Sequence, residues 1–385
     1  MSSETAKQKK SKFRLPSSQY YALRLVHRFR PVLQGLGQVE SALLRRRTRP
    51  IRIDRPIYIC GVPRCGTTIM LEMLSRHPSL ACHTYVDMLQ PYTPYFWNKL
   101  ASRFASLRDK PTERLHQDRI KVTPFSPESV EELLWLRYFN NLHSTDRSCL
   151  LTAEDADPRF DAYYTDHLKK LLLLKARERY LTKANYDTTR LLYLHRLFPD
   201  ARFLLMIRHP VNHISSLMKQ DRLIRQLAEQ DSRILRTIRM TGHFDFGESK
   251  CWLNLGDGPR VEETCRAYTA GRKARAWAMH WSAMYDLVFE QLQTHTDLAR
   301  STLIVPYEEL CERSAEMIDA ILSHCQLDGE PFAEVGREFA AKLRLPTYYQ
   351  PHFSDEELAD IEEVTAKTCA RFKLFQVQTM GAASN

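Results

Sequence analysis

The sequence predicts a layered α/β fold: three layers, α/β/α, with a central parallel sheet and a helical lid or insertion. Two observations predict it. Short apolar runs alternate along the chain with stretches of helical periodicity, the pattern of strands joined by crossover helices. One of the runs, Arg202-Phe-Leu-Leu-Met-Ile207, is strongly apolar, as a central parallel strand covered on both faces should be. The chain has 385 residues, 43% hydrophobic and 26% charged, the balance of an ordinary globular protein with room for one large core.

In chain order, Ile57-Tyr-Ile-Cys60 reads as a short buried strand, and Gly61 to Gly66 as a loop. Thr67 to Arg76 continues with helical spacing of Ile69, Met70, Met73 and Leu74, and His77-Pro78 ends it. Ser126-Pro127-Glu128 has the marks of a helix start, with Pro near the first helical position and acids in the first turn, so a helix is expected to about Leu142. Tyr180 to Lys183 is a second strand, Thr188 to Phe198 a helix, and Arg202 to Ile207 a third strand with a helix after Pro210. Thr302 to Val305 is a fourth strand, followed by helices from about Ser314, Pro331 and Ser354. Residues 220–275 carry few strand signals and are read as a helical lid.

The net charge of +10 is unevenly placed. Residues 1–50 hold 12 Lys and Arg against 2 acidic residues; beyond residue 50 the two signs balance. The division is therefore a basic N-terminal arm, 1–50, and a neutral main domain, 51–385. That distribution argues against nucleic acid as a partner. The arm could be a solvated tail or a contact for an anionic membrane surface. Tyr20, Tyr21, Leu23, Leu25 and Val26 lie among Arg24, Arg28 and Arg30, a pattern suited to a basic amphipathic helix on lipid or to a helix packed on the domain. No run approaches the ~18 apolar residues of a membrane span. Met1 to Arg14 is polar and basic, unlike a secretory signal. Nine scattered cysteines without CxxC, and histidines without HExxH, predict reduced thiols, a cytoplasmic location and no metal site.

Chemistry concentrates in Gly61-Val-Pro-Arg64-Cys65-Gly66-Thr67-Thr68, between a strand and a helix. This is an anion cradle: glycine lets backbone approach phosphate oxygens, and the helix N-terminus supplies partial positive charge. The spacing follows the P-loop pattern GxxxxGK[ST], but Thr67 stands where nucleoside triphosphatases carry lysine, and the cation is Arg64. A second site follows the third strand: Arg208-His209-Pro210, then Ser216 eight positions after the arginine. An arginine offers a fixed fork of donors to phosphate.

With these two motifs the chain resembles the PAPS-dependent sulfotransferases (PAPS, 3'-phosphoadenosine-5'-phosphosulfate), in their broad bacterial-type branch. The resemblance covers roughly residues 55–375. It implies a P-loop-like fold and a loop, Arg64 to Thr68, that holds the 5'-phosphosulfate. It also implies that Arg208 and Ser216 grip the 3'-phosphate. His209 departs from the Asp usual in the family. Pro306-Tyr307-Glu308-Glu309-Leu310 resembles a further family segment whose tyrosine lies near the base, and Gly242-His-Phe-Asp-Phe-Gly247 one of the bacterial branch.

The resemblance also frames the question of the general base. Where the cytosolic branch has Lys-x-His, this chain has Lys183-Ala184-Asn185, so Lys183 is expected as a second cation and Asn185 cannot be the base. Thr84-Tyr-Val-Asp87-Met-Leu-Gln-Pro91 matches a carboxylate segment of other branches, which makes Asp87 the expected base, with His83 and His243 as rivals. Helix capping or a salt bridge is the plain alternative for Asp87. Tyr85, Met88, Tyr92, Tyr95, Phe96 and Trp97 cluster after it and could line an apolar acceptor pocket, favouring a small hydroxylated amphiphile. A non-catalytic PAPS-binding protein and a P-loop phosphotransferase stay open as other readings.

Overall fold

The structure, a computed structural model, describes residues 15–103, 111–113, 121–345 and 351–373. Residues 1–14 of the basic arm lie outside the described residues. Two helices, α1 (Ser17–Arg28) and α2 (Arg30–Thr48), precede the sheet. Then come β1 (Ile57–Cys60), α3 (Thr67–Leu74), β2 (Leu80–Ala81) and α4 (Pro94–Ser102). An antiparallel pair, β3 (Thr112–Glu113) and β4 (Lys121–Val122), leads to α5 (Glu131–Trp135), α6 (Pro158–Lys175), β5 (Arg179–Lys183), α7 (Leu191–Leu197) and β6 (Arg202–Ile207). The helical stretch α8 (Pro210–Gln230), α9 (Arg233–Met240), α10 (Gly258–Thr269), α11 (Lys273–Thr294) and α12 (Thr296–Arg300) follows. The chain closes with β7 (Thr302–Pro306), α13 (Tyr307–Glu312), α14 (Ser314–Cys325), α15 (Ala333–Lys342) and α16 (Asp355–Phe372).

The main sheet has the order β2-β5-β1-β6-β7, and every pairing in it is parallel. Its two faces follow from the period of two along each strand. Ile57 and Ile59 of β1, with Leu204 and Met206 of β6, pack against α3, α14 and α15. Tyr58 and Cys60, with Phe203, Leu205 and Ile207, pack on the other side against α6, α7, α8 and α11. Both faces are thus covered, which is why these strands read as continuous apolar runs.

The expected helix from Ser126 to Leu142 is shortened to Glu131–Trp135. Ser126-Pro127-Glu128 is instead pinned extended beside residues 83–85. Thr84 bridges Pro127, the Glu128 amide donates to the His83 carbonyl at 3.0 Å, and the Tyr85 amide donates to that of Ser126 at 3.1 Å. Those cross-chain bonds occupy the backbone that a first helical turn would need. Residues 220–275 include the second half of α8, then α9 and α10, with a largely non-helical stretch, 241–257, between the last two.

The N-terminal segment packs on the domain through one face. Tyr20 and Leu23 are buried, and the Arg233 guanidinium lies over the Tyr20 ring while donating to Ser17 at 2.9 Å. On α2, Glu40 is buried against Lys170 at 3.2 Å and accepts from the Phe96 amide at 2.7 Å. Gly37 is there because a Cβ would come within 2.4 Å of the Tyr92 carbonyl oxygen. Among the described residues no helix is long and apolar enough to cross a membrane, and no group of side chains could hold a metal ion.

Candidate active site

Four neighbouring parallel strands, in the order β5-β1-β6-β7, end side by side. Their C-terminal edge carries Lys183, the loop 61–66, Arg208 and Tyr307 in a row. This is where open α/β sheets place their ligands.

The loop has a fixed, curled backbone. Gly61, Arg64 and Gly66 have φ of +143°, +76° and +105°. A Cβ on Gly61 would meet the Met206 carbonyl oxygen at 2.4 Å, and one on Gly66 the Tyr307 ring at 2.6 Å. Arg64 holds a left-handed conformation that disfavours a side chain by about 1 kcal/mol. The loop tolerates it because it is braced from behind. The Tyr285 hydroxyl donates to the Met206 carbonyl at 2.9 Å and accepts from the Val62 amide at 3.3 Å. His213 Nε2 donates to the Pro63 carbonyl at 2.7 Å, while its Nδ1 accepts from the Trp281 indole at 3.0 Å. Burial pushes the His213 imidazole down to about 3, so it is neutral and in one tautomer. Of the expected loop residues, Arg64, Gly66 and Thr68 are half-buried; Cys65 and Thr67 have buried side chains and can offer only backbone.

The structure brings Arg64, Arg208, Ser216 and Tyr307 together. Arg64 Nε donates to Ser216 Oγ at 3.5 Å, and Arg208 donates to the Arg64 carbonyl at 3.3 Å. The Arg208 guanidinium stacks over the Tyr307 ring, 5.1 Å from its centre. Arg208 Nε is buried without a hydrogen-bond partner, a costly state for a guanidinium unless an anion completes the site. His209, in the place of the family's Asp, gives its amide to the Glu308 carboxylate at 3.1 Å, and burial pushes its imidazole down. A cleft of about 440 Å³ lies beside His209, lined also by Pro210, Val211, Phe353 and Ile361 among others.

On the other side of the loop, Lys183 ends β5 with its Nζ 3.6 Å from Glu128. Burial alone would raise the Glu128 carboxyl, but the Lys183 charge, the Tyr85 hydroxyl and the Ser129 amide outweigh it and hold the group at about 2. His243 and Asp245 lie within electrostatic reach of this pair. Burial lowers His243, against the opposing pull of Asp245 and Glu128. Burial raises Asp245, opposed by His243 and a hydrogen bond from Tyr186.

Asp87 has a different occupation from the one expected. Its side chain is fully buried, Oδ2 accepts from the Thr84 amide at 2.8 Å and hydroxyl at 3.0 Å, and Oδ1 accepts from Asn98 at 2.5 Å. It closes a capping box on the one-turn helix 85–88. His83 is also inside, bonded to His167 at 2.8 Å, and burial pushes it down to about 4. Of the two histidine rivals, His243 feels the charges of both Lys183 and Glu128. Glu128 and Asp245 were not singled out from the sequence. Asp245 stood inside the Gly242–Gly247 segment, whereas Glu128 looked like ordinary helix-start acid.

The model of the sulfotransferase family matches residues 56–246, the segment that contains both halves of this site apart from Tyr307. The sulfotransferase STF9 from Mycobacterium avium superposes with a TM-score of 0.54 at 14% identity, over 86% of this chain and 80% of that one. At that identity the likeness is one of fold. The sulfotransferase STF1 from Mycobacterium tuberculosis aligns over 90% of this chain and 85% of its own at 15% identity, with a TM-score of 0.46. No curated protein matches the chain in sequence.

Proposed function

Because the chain belongs to the sulfotransferase family over residues 56–246, we propose that it transfers a sulfuryl group from PAPS to the hydroxyl of a small-molecule or lipid-like acceptor, releasing 3',5'-ADP. The observation that carries the reading is the meeting of Arg64, Arg208 and Ser216 beside a braced loop in which Thr67 replaces the P-loop lysine. The two arginines suit a donor with anionic groups at two separate positions. The unpartnered Arg208 Nε fits a 3'-phosphate, and the loop fits the 5'-phosphosulfate.

The donor supplies an electrophilic sulfur and a leaving phosphate; the protein's own groups do the rest. Arg64 and Lys183 stand at the strand ends where negative charge collects on the leaving side. Neutral His243 takes the acceptor's proton as its oxygen bonds to sulfur and the sulfur–oxygen bond to the phosphate breaks. The carboxylates of Glu128 and Asp245 stabilise the imidazolium that forms. Glu128 is held too far down to be an effective base itself.

Thermal-shift titration with 3',5'-ADP, 5'-AMP and Mg-ATP tests the assignment. Stabilisation that grows with 3',5'-ADP and exceeds that by 5'-AMP is expected. A response to Mg-ATP without one to 3',5'-ADP would replace this reading with a phosphotransferase.

A further inference from the structure

The outer face of α1 and α2 is apolar where a solvated helix would be polar. Leu25, Phe29, Val32, Leu36, Val39 and Leu43 follow one another at steps of four and three residues, and each is 50–67% exposed. Side chains at this spacing share one face. The buried residues of α2, Gly37, Glu40, Leu44 and Thr48, lie on a different face, so the stripe is not the one that holds the helix to the domain. On α4, whose Phe96 amide caps Glu40, Phe96 and Leu100 are exposed too.

The exposed charges that α1 and α2 themselves carry beside the stripe have one sign. Arg28 comes three positions after Leu25 and Arg46 three after Leu43, so each borders it; Arg24 and Arg45 are exposed on the same helices, and Arg49 just past the end of α2. From residue 15 to 50 the sole acid is Glu40, which is buried against Lys170. A partner for this face must therefore be apolar at its centre and anionic at its edge.

We propose that α1 and α2 dock the protein on an anionic lipid bilayer surface, with the stripe in the acyl boundary and the arginines among the headgroups. A second copy of the chain fits less well. It would set arginine against arginine across the stripe, since α1 and α2 expose no acid of their own. The helix also breaks at Phe29 (φ −99°, ψ 17°) ahead of Pro31, which interrupts the even seam that a helix pair needs. A bilayer surface imposes no such register.

Co-sedimentation of the full chain with vesicles tests this. Binding is expected to phosphatidylcholine vesicles doped with phosphatidylglycerol, to be weak on pure phosphatidylcholine, and to fall as salt rises. Leu25→Asp with Leu36→Asp should cut partitioning by about tenfold or more, with an unchanged melting temperature, because both positions are exposed. Arg28→Glu with Arg46→Glu should remove the preference for anionic vesicles. No binding to either vesicle, or equal binding to both, overturns the proposal. So does a dimer in sedimentation velocity that Leu36→Asp converts to monomer, since the stripe would then be covered by a second copy.

Discussion

Lys183 and Glu128 meet at 3.6 Å, with 10% of each side chain left exposed. Glu128 is thereby held at about 2 against an ordinary value of 4.5. A carboxyl lowered on folding adds stability that is complete above the unfolded value and lost as pH falls through the folded one. The window here is about pH 4.5 down to pH 2, with a contribution on the order of 3 kcal/mol. Urea unfolding across that range should show the loss in the wild type, and Glu128→Gln should flatten that part of the curve. Parallel curves for the two proteins would detach Glu128 from Lys183.

Lys183→Ala should lower kcat by about 10²-fold or more and leave 3',5'-ADP affinity nearly unchanged, because the ammonium serves charge that develops during transfer. Equal losses in turnover and product affinity would make it a general anion contact instead.

His243→Gln should cost about 10²-fold or more in turnover. Burial lowers the imidazole below its usual 6.5, so it is unprotonated at neutral pH and kcat should rise through a value under 6.5 to a plateau. Asp87→Asn should leave turnover within about threefold of wild type. It should instead cost about 1–2 kcal/mol of stability, through the lost capping bonds from Thr84. A hundredfold loss of turnover in Asp87→Asn with an unchanged melt would return the base to Asp87.

Arg208→Ala should weaken 3',5'-ADP while sparing 5'-AMP, measured by calorimetric titration, since the two ligands differ by the 3'-phosphate alone. A matched loss for both would place Arg208 elsewhere on the nucleotide.

Gly66→Ala should abolish 3',5'-ADP binding, and adding Tyr307→Ala should restore it only in part. The second change removes the ring 2.6 Å from the new Cβ but leaves φ at +105°. Full rescue would mean that the ring contact alone matters.

The strands and the loop were legible because their signals are local. Ile57 to Cys60 and Phe203 to Ile207 are apolar at every position as both faces are covered, and Gly61 and Gly66 mark where backbone must pass close. Roles fixed by distant partners were not. Asp87 and Glu128 are both acids beside a turn. What separates them is Asn98 closing on one and Lys183, 55 positions along the chain, on the other. The Ser126 helix start failed for the same reason, since residues 83–85 claim its backbone. β2, two residues long, carries too little pattern to read, yet it completes the sheet beside β5.

The inward turn of Cys65 has a consequence for covalent chemistry. Its thiol is fully buried, and burial pushes it up to about 12, so it stays protonated and out of contact with reagents. Alkylating agents and peroxide need a thiolate they can reach. A cysteine in the middle of an anion-binding loop looks like a handle for inhibitors or oxidative control; here it is silent, and covalent probes will have to be aimed at other positions.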